Sequence, residues 1–217
     1  MGKKLVAYSQ GEEIFNGVSH IIGGALGIFA FLFSFIIFGF RKESTELFGL
    51  LVYSLTLIIL YTMSTLYHII KNNKAKQVLR IFDHCCIFLL IGGTYTPYIL
   101  IGLPSKVGYL TLAFVWIMAI IGMILNGINM HHIVVKIFSY VAYVIMGWCI
   151  IFNAGALLNS IGTTSLLLLL FGGIVYTIGF VLYAVGKKKK WFHSIWHLFV
   201  LIASIMHFIS ILIMIFR

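Results

Sequence analysis

Apolar residues run through this chain in long uninterrupted stretches, such as 28–40 and 166–170, and charged residues break them only at intervals. Taking the runs between charges predicts seven spans, at 18–40, 47–70, 81–103, 107–127, 133–152, 164–186 and 192–216. Each is close to the ~20 apolar residues that carry an α-helix across ~30 Å of hydrocarbon. A membrane β-barrel would instead alternate lipid-facing and lumen-facing residues along short strands, and no such alternation is present. The pattern therefore predicts an all-α fold, a polytopic seven-transmembrane helix bundle. The connections at 41–46, 71–80, 104–106, 128–132, 153–163 and 187–191 are short. One seven-transmembrane domain is expected over 1–217, with 1–17 as a polar N-terminal segment.

Composition narrows the class. The chain is 62% hydrophobic and only 9% charged, with a mean hydropathy of +1.11, whereas a soluble domain is about 25% charged. That excludes a water-soluble enzyme, a disordered chain and a secreted disulfide scaffold. In a soluble protein the net charge of +10 would suggest a nucleic-acid partner. Here the basic residues lie between apolar runs and are read as orientation signals, so no nucleic acid is expected. Eleven of the fifteen Lys and Arg fall on the side of the N-terminus and of the second, fourth and sixth connections, against four on the other. The N-terminus is expected in the cytoplasm and the C-terminus outside, in a multi-pass protein of the cell (plasma) membrane. Cys85, Cys86 and Cys149 sit in or beside apolar segments and are expected as buried thiols. Gly23 with Gly27, and Gly172 with Gly173, suit close helix packing. Pro97 is expected to kink the third span.

The candidate chemistry lies in the histidines. Ser64 and His68 are spaced i,i+4 at the end of the second span, and His193 and His197 repeat that spacing at the start of the seventh. Two His at i,i+4 share a helix face and can reach one metal ion. Asp83, near the start of the third span, is the one acidic residue close to the hydrocarbon region. A charge there is costly and is a functional candidate by default. All these segments meet on one side of the membrane. Three imidazoles with an open fourth position would form a catalytic zinc site, with Asp83 as general base and Ser64 as hydrogen-bond donor. His207 lies ten residues past His197, ~15 Å farther along the helix. It is read either as lining a cavity below the site or as a core His bonded to a neighbouring helix. Glu13, Asn16 and His20 fall on one helical face. They are read either as the outer layer of the site or as a helix start favoured by its acidic residues. His84, His131 and His132 are expected as hydrated interfacial residues.

These residues resemble a known pattern. The segment Glu13, Asn16, Ser19, His20, the run from Ser64 to His68, Phe82-Asp83-His84, the run from Gly93 to Pro97, and His193 to His197 with His207-Phe208 are similar to bacterial hemolysin III proteins. That family is grouped with the adiponectin and progestin receptors, and the likeness covers essentially the whole chain. The resemblance implies an N-terminus-inside bundle holding zinc through His68, His193 and His197. It also implies that Asp83 contacts the zinc through water, with Ser64 nearby. The animal receptors are similar to ceramidases, so it further implies membrane lipids as partners, a lipid amide or ester as substrate, and metal-dependent hydrolysis. Two alternatives stay open: a non-catalytic sensor of membrane state with a structural metal, and a cytolytic pore.

Overall fold

The computed structural model describes residues 8–40, 44–185 and 189–217. Lys3, Lys4, Arg41, Lys42, Lys187 and Lys188, which entered the orientation count, lie outside the described residues. The described chain forms seven α-helices: α1 (Gln10–Phe38), α2 (Ser44–Ile69), α3 (Asn73–Pro97), α4 (Lys106–Asn129), α5 (Ile133–Trp148), α6 (Ala154–Val185) and α7 (Phe192–Ile215).

Several boundaries differ from the expected spans, each for a local reason. α1 begins at Gln10 instead of 18, because Ser9 and Glu12 form a capping box that satisfies free N–H groups of the first turn. α3 begins at Asn73 instead of 81. The Asn72 side chain accepts from the N–H groups of Lys74 and Ala75, and Lys, Ala and Gln are good helix formers. The polar stretch taken as a connection is thus the first two turns of a helix, and Asp83 lies well inside it. Pro97 ends α3, and a π-helical turn, Tyr98–Gly102, follows.

The largest difference concerns the fifth and sixth expected spans. Among the described residues six stretches are long and apolar enough to cross a membrane, and one of them, Ile133–Val185, runs for 53 residues. A straight helix of that length would reach ~80 Å, far more than one crossing. It is broken by a 3-10 turn, Cys149–Asn153, and by Gly162 at φ 78°, ψ 165°, a conformation that only glycine adopts without strain. The expected connection at 153–163 is therefore largely helical.

Hydroxyl groups inside the helices bond back one turn, as Ser34 does to the carbonyl of Ala30 and Thr94 to that of Leu90. Others join helices. Tyr53 donates to the Ser204 carbonyl at 2.9 Å, Tyr61 donates to Ser204 Oγ at 2.8 Å, and Tyr176 Oη meets the same Oγ at 2.7 Å. Such interhelical bonds are worth about 0.6 kcal/mol each. Together they fix α7, which carries His193 and His197, against α2 and α6.

Gly23 lets α1 approach α2: a Cβ there would overlap the Tyr61 ring, which is fully buried and held by its bond to Ser204. Gly23→Ala is expected to lower stability by about 1–3 kcal/mol, read as a drop in melting temperature of the detergent-solubilised protein. An unchanged melting temperature would mean that the contact yields without cost.

Candidate metal centre

α2 ends, and α1, α3 and α7 begin, at one end of the bundle, and their polar residues meet there. His193 Nε2 lies 3.3 Å from His68 Nε2 and 3.0 Å from His197 Nε2. The three rings offer ligand atoms within 4.8 Å of one another, a group that could hold a metal ion. His68 and His197 are buried. The i,i+4 spacing of His193 and His197 does what the sequence suggests, turning both rings to one point on α7.

The neighbour of His68 explains its orientation. Its Nδ1 lies 2.6 Å from Glu13 Oε2. A carboxylate only accepts, so Nδ1 carries the proton and Nε2 presents its lone pair to the other two imidazoles. Metal-binding histidines are typically held by such an outer carboxylate. Glu13 thus contacts the imidazole group from the first turn of α1, and Glu12 beside it is engaged elsewhere. Glu12 accepts from the N–H and Oγ–H of Ser9 at the start of α1, and from the Trp191 N–H at 2.6 Å. Trp191 has φ 68° and precedes α7, so Glu12 joins the beginnings of α1 and α7.

Asn16 and His20 continue the α1 face. Asn16 is fully buried, His20 nearly so, and neither side chain has a hydrogen-bond partner among the described residues. The His20 ring lies 3.7 Å from that of His197, centroid to centroid, and meets Tyr61 edge-on.

Ser64, Asp83, His20, His193 and His197 all line one cavity of about 160 Å³. Asp83 is outside the close group of three imidazoles; its Oδ2 lies 3.8 Å from His84 Nδ1, which donates to the Arg80 carbonyl at 2.9 Å. The cavity extends to His207, so it runs ~15 Å along α7. Its remaining wall is mainly apolar and aromatic, from α3, α5, α6 and α7, and includes Tyr143, Trp148, Phe180 and Trp196. α5 and α6 touch each other little, which leaves this space between them. His207 lines the cavity, and its Nε2 donates to the Leu169 carbonyl at 3.1 Å.

Two participants escape the sequence. Tyr8 stacks on His193 at 4.8 Å and lies 5.7 Å from His68, covering the pair. Burial, with Tyr67 and Tyr183 adding to it, pushes its hydroxyl above the usual tyrosine range. A lone Tyr in a polar segment gives no signal of this. Lys76 places Nζ 2.5 Å from Glu13 Oε1. Its signal was available, since it lies seven residues before Asp83 and so on the same side of α3, but only once α3 is known to start at Asn73.

Comparison with known proteins identifies the family. A family model described as "Haemolysin-III related" matches residues 8–208, which include every residue placed at the site. The protein is similar to Hemolysin-3 of Bacillus cereus, at 37% identity over 201 residues, covering 93% of this chain and 90% of that protein. It is 34% identical to a Hemolysin-3 homolog of Bacillus subtilis (strain 168), with 93% of each chain covered. The human Monocyte to macrophage differentiation factor is 28% identical over 168 residues, 74% of this chain and 67% of its own length. That relative links the chain distantly to the adiponectin and progestin receptors. With the family match running from Tyr8 to Phe208, through all seven helices and the three clustered imidazoles, the chain belongs to the haemolysin-III-related family of multi-pass membrane proteins.

Proposed function

We propose that this protein is a zinc-dependent hydrolase of a lipid amide or ester, lying in the cell membrane with its N-terminus in the cytoplasm. The observation that carries the reading is the convergence of three imidazole Nε2 atoms at the head of an apolar-walled cavity that also bears Asp83 and Ser64. Zinc–nitrogen bonds of 2.0–2.1 Å in a tetrahedron put the nitrogens about 3.3–3.4 Å apart. The two nitrogen separations here, 3.3 and 3.0 Å, are close to that edge. Three imidazoles with no thiolate also suit zinc by ligand type. When bound, zinc supplies a Lewis acid and a water acidified to a pKa of ~7.

The chain's own residues supply the rest. The aromatic and aliphatic walls hold the acyl chain and exclude bulk water. The Ser64 hydroxyl donates to the substrate carbonyl oxygen as negative charge grows on it. The Asp83 carboxylate takes the proton of the attacking water and delivers it to the departing amine or alcohol as the acyl C–N or C–O bond breaks. Asn16 and His20, buried without hydrogen-bond partners among the described residues, offer donors and acceptors to the polar head of the ligand. Lys76, Arg80, Lys189 and Lys190 gather at the same end of the bundle, which supports the cytoplasmic placement of the site.

The test is the wild type reconstituted into liposomes with zinc and offered long-chain acyl amides and esters. Release of free fatty acid is expected while an entrapped dye stays inside. Bound lipid without release would favour the sensor reading. Dye leakage would favour the lytic activity that the names of the Bacillus relatives carry.

A further inference from the structure

Lys76 has no part in the chemistry above, and its position is unusual for a lysine near a membrane surface. Such a side chain normally snorkels, with its stem on apolar surface and its ammonium in water. Lys76 is only 9% exposed. Its Nζ turns inward, 2.5 Å from Glu13 Oε1, 3.5 Å from the carbonyl of His68, and 5.2 Å above the ring of Tyr67. A buried ammonium is costly unless its partners are well placed, so this geometry calls for a reason.

The reason lies on the other oxygen of the same carboxylate. Glu13 Oε2 receives the Nδ1–H of His68 while Oε1 receives Lys76. Held at both oxygens, the carboxylate cannot turn about its terminal bond. Glu13 is itself partly open to water, with its side chain 20% exposed. Without Lys76 it would be free to swing outward, and His68 would lose the acceptor that fixes its ring and its tautomer. We infer that Lys76 is a positioning residue for the metal: through Glu13 it aims His68 Nε2 at the point where His193 and His197 converge. The inference rests on the reading of this cluster as a metal site, and it links α1, α2 and α3 through residues 55 and 63 positions apart.

The experiment measures zinc affinity directly, by competition with a chelator, on the purified full-length protein in detergent. Removing an outer partner of a metal-binding histidine typically weakens affinity about 10–100-fold, and that loss is expected for both Lys76→Met and Glu13→Gln. Because the two act in series, the double variant should bind no more weakly than Glu13→Gln alone. Lys76→Arg, which keeps the cation, should recover most of the loss. If Lys76→Met does not fold, Lys76→Gln takes its place in the cycle. A merely structural clamp would lower the melting temperature of the metal-free variants and leave zinc affinity at the wild-type value, and that result would overturn the inference. So would full additivity of the two substitutions. A wild type that binds no zinc would overturn the metal reading and this inference together, whereas a zinc-loaded wild type beside an equally tight Lys76→Met overturns this one alone.

Discussion

A His193→Ala/His197→Ala variant, purified from the membrane, is expected to carry essentially no zinc where the wild type carries about one ion per chain. Two of the three converging nitrogens are removed, and a single imidazole on α2 cannot retain the ion. Fold and metal can be separated in the same samples. A ligand bound only to the folded state raises stability by RT ln(1 + [L]/Kd), about 4 kcal/mol at a thousandfold excess over Kd. Added zinc should therefore raise the wild-type melting temperature and leave that of the variant unmoved. The substitutions also remove the His193 ring on which Tyr8 stacks, so some loss of stability in the metal-free variant is expected as well. Elemental analysis with melting curves in zinc and in chelator checks each part. A wild type free of metal, yet folded, would end the hydrolase reading.

Asp83→Asn is expected to leave zinc content and melting temperature close to wild type and to reduce lipid turnover about 10²–10⁴-fold, the usual contribution of a general base. Asn matches Asp in shape but cannot accept the proton of an attacking water at neutral pH. Among the described residues, His84 Nδ1 lies 3.8 Å from the Asp83 carboxylate and donates to the Arg80 carbonyl. Zinc lost along with turnover would make Asp83 a ligand, against its position outside the cluster of three imidazoles. Turnover retained would remove it from the chemistry.

Much of the candidate site was legible because its elements are local. Ser64 with His68, and His193 with His197, advertise themselves by i,i+4 spacing on helices whose existence the apolar runs require. Asp83 stood out because an acid beside so apolar a run needs a reason. Glu12 and Glu13 are distinguished by contact alone: adjacent on the chain, they point to different helices, one toward Trp191 and the other toward His68 and Lys76. Lys76 read as one more basic residue of a connection because its partner lies 63 residues earlier. The extent of α3 was hidden for a related reason. Hydropathy locates the part of a helix that meets lipid, while the capped polar turns ahead of it, 73–80 here, obey hydrogen bonding and propensity.

The amino-acid sequence by itself determined that this chain must live in a bilayer as helices, because backbone polar groups in hydrocarbon must be satisfied within the element. It also determined which faces of those helices carry imidazole and carboxylate. The tertiary structure alone decided which faces meet: that Glu13 contacts both His68 and Lys76, and that an aromatic-walled cavity runs from the imidazoles to His207. It also decided that 133–185 doubles back through a 3-10 turn and Gly162. Periodicity is a property of neighbours within a few residues, whereas these contacts join segments far apart along the chain, and packing of the whole bundle selects them.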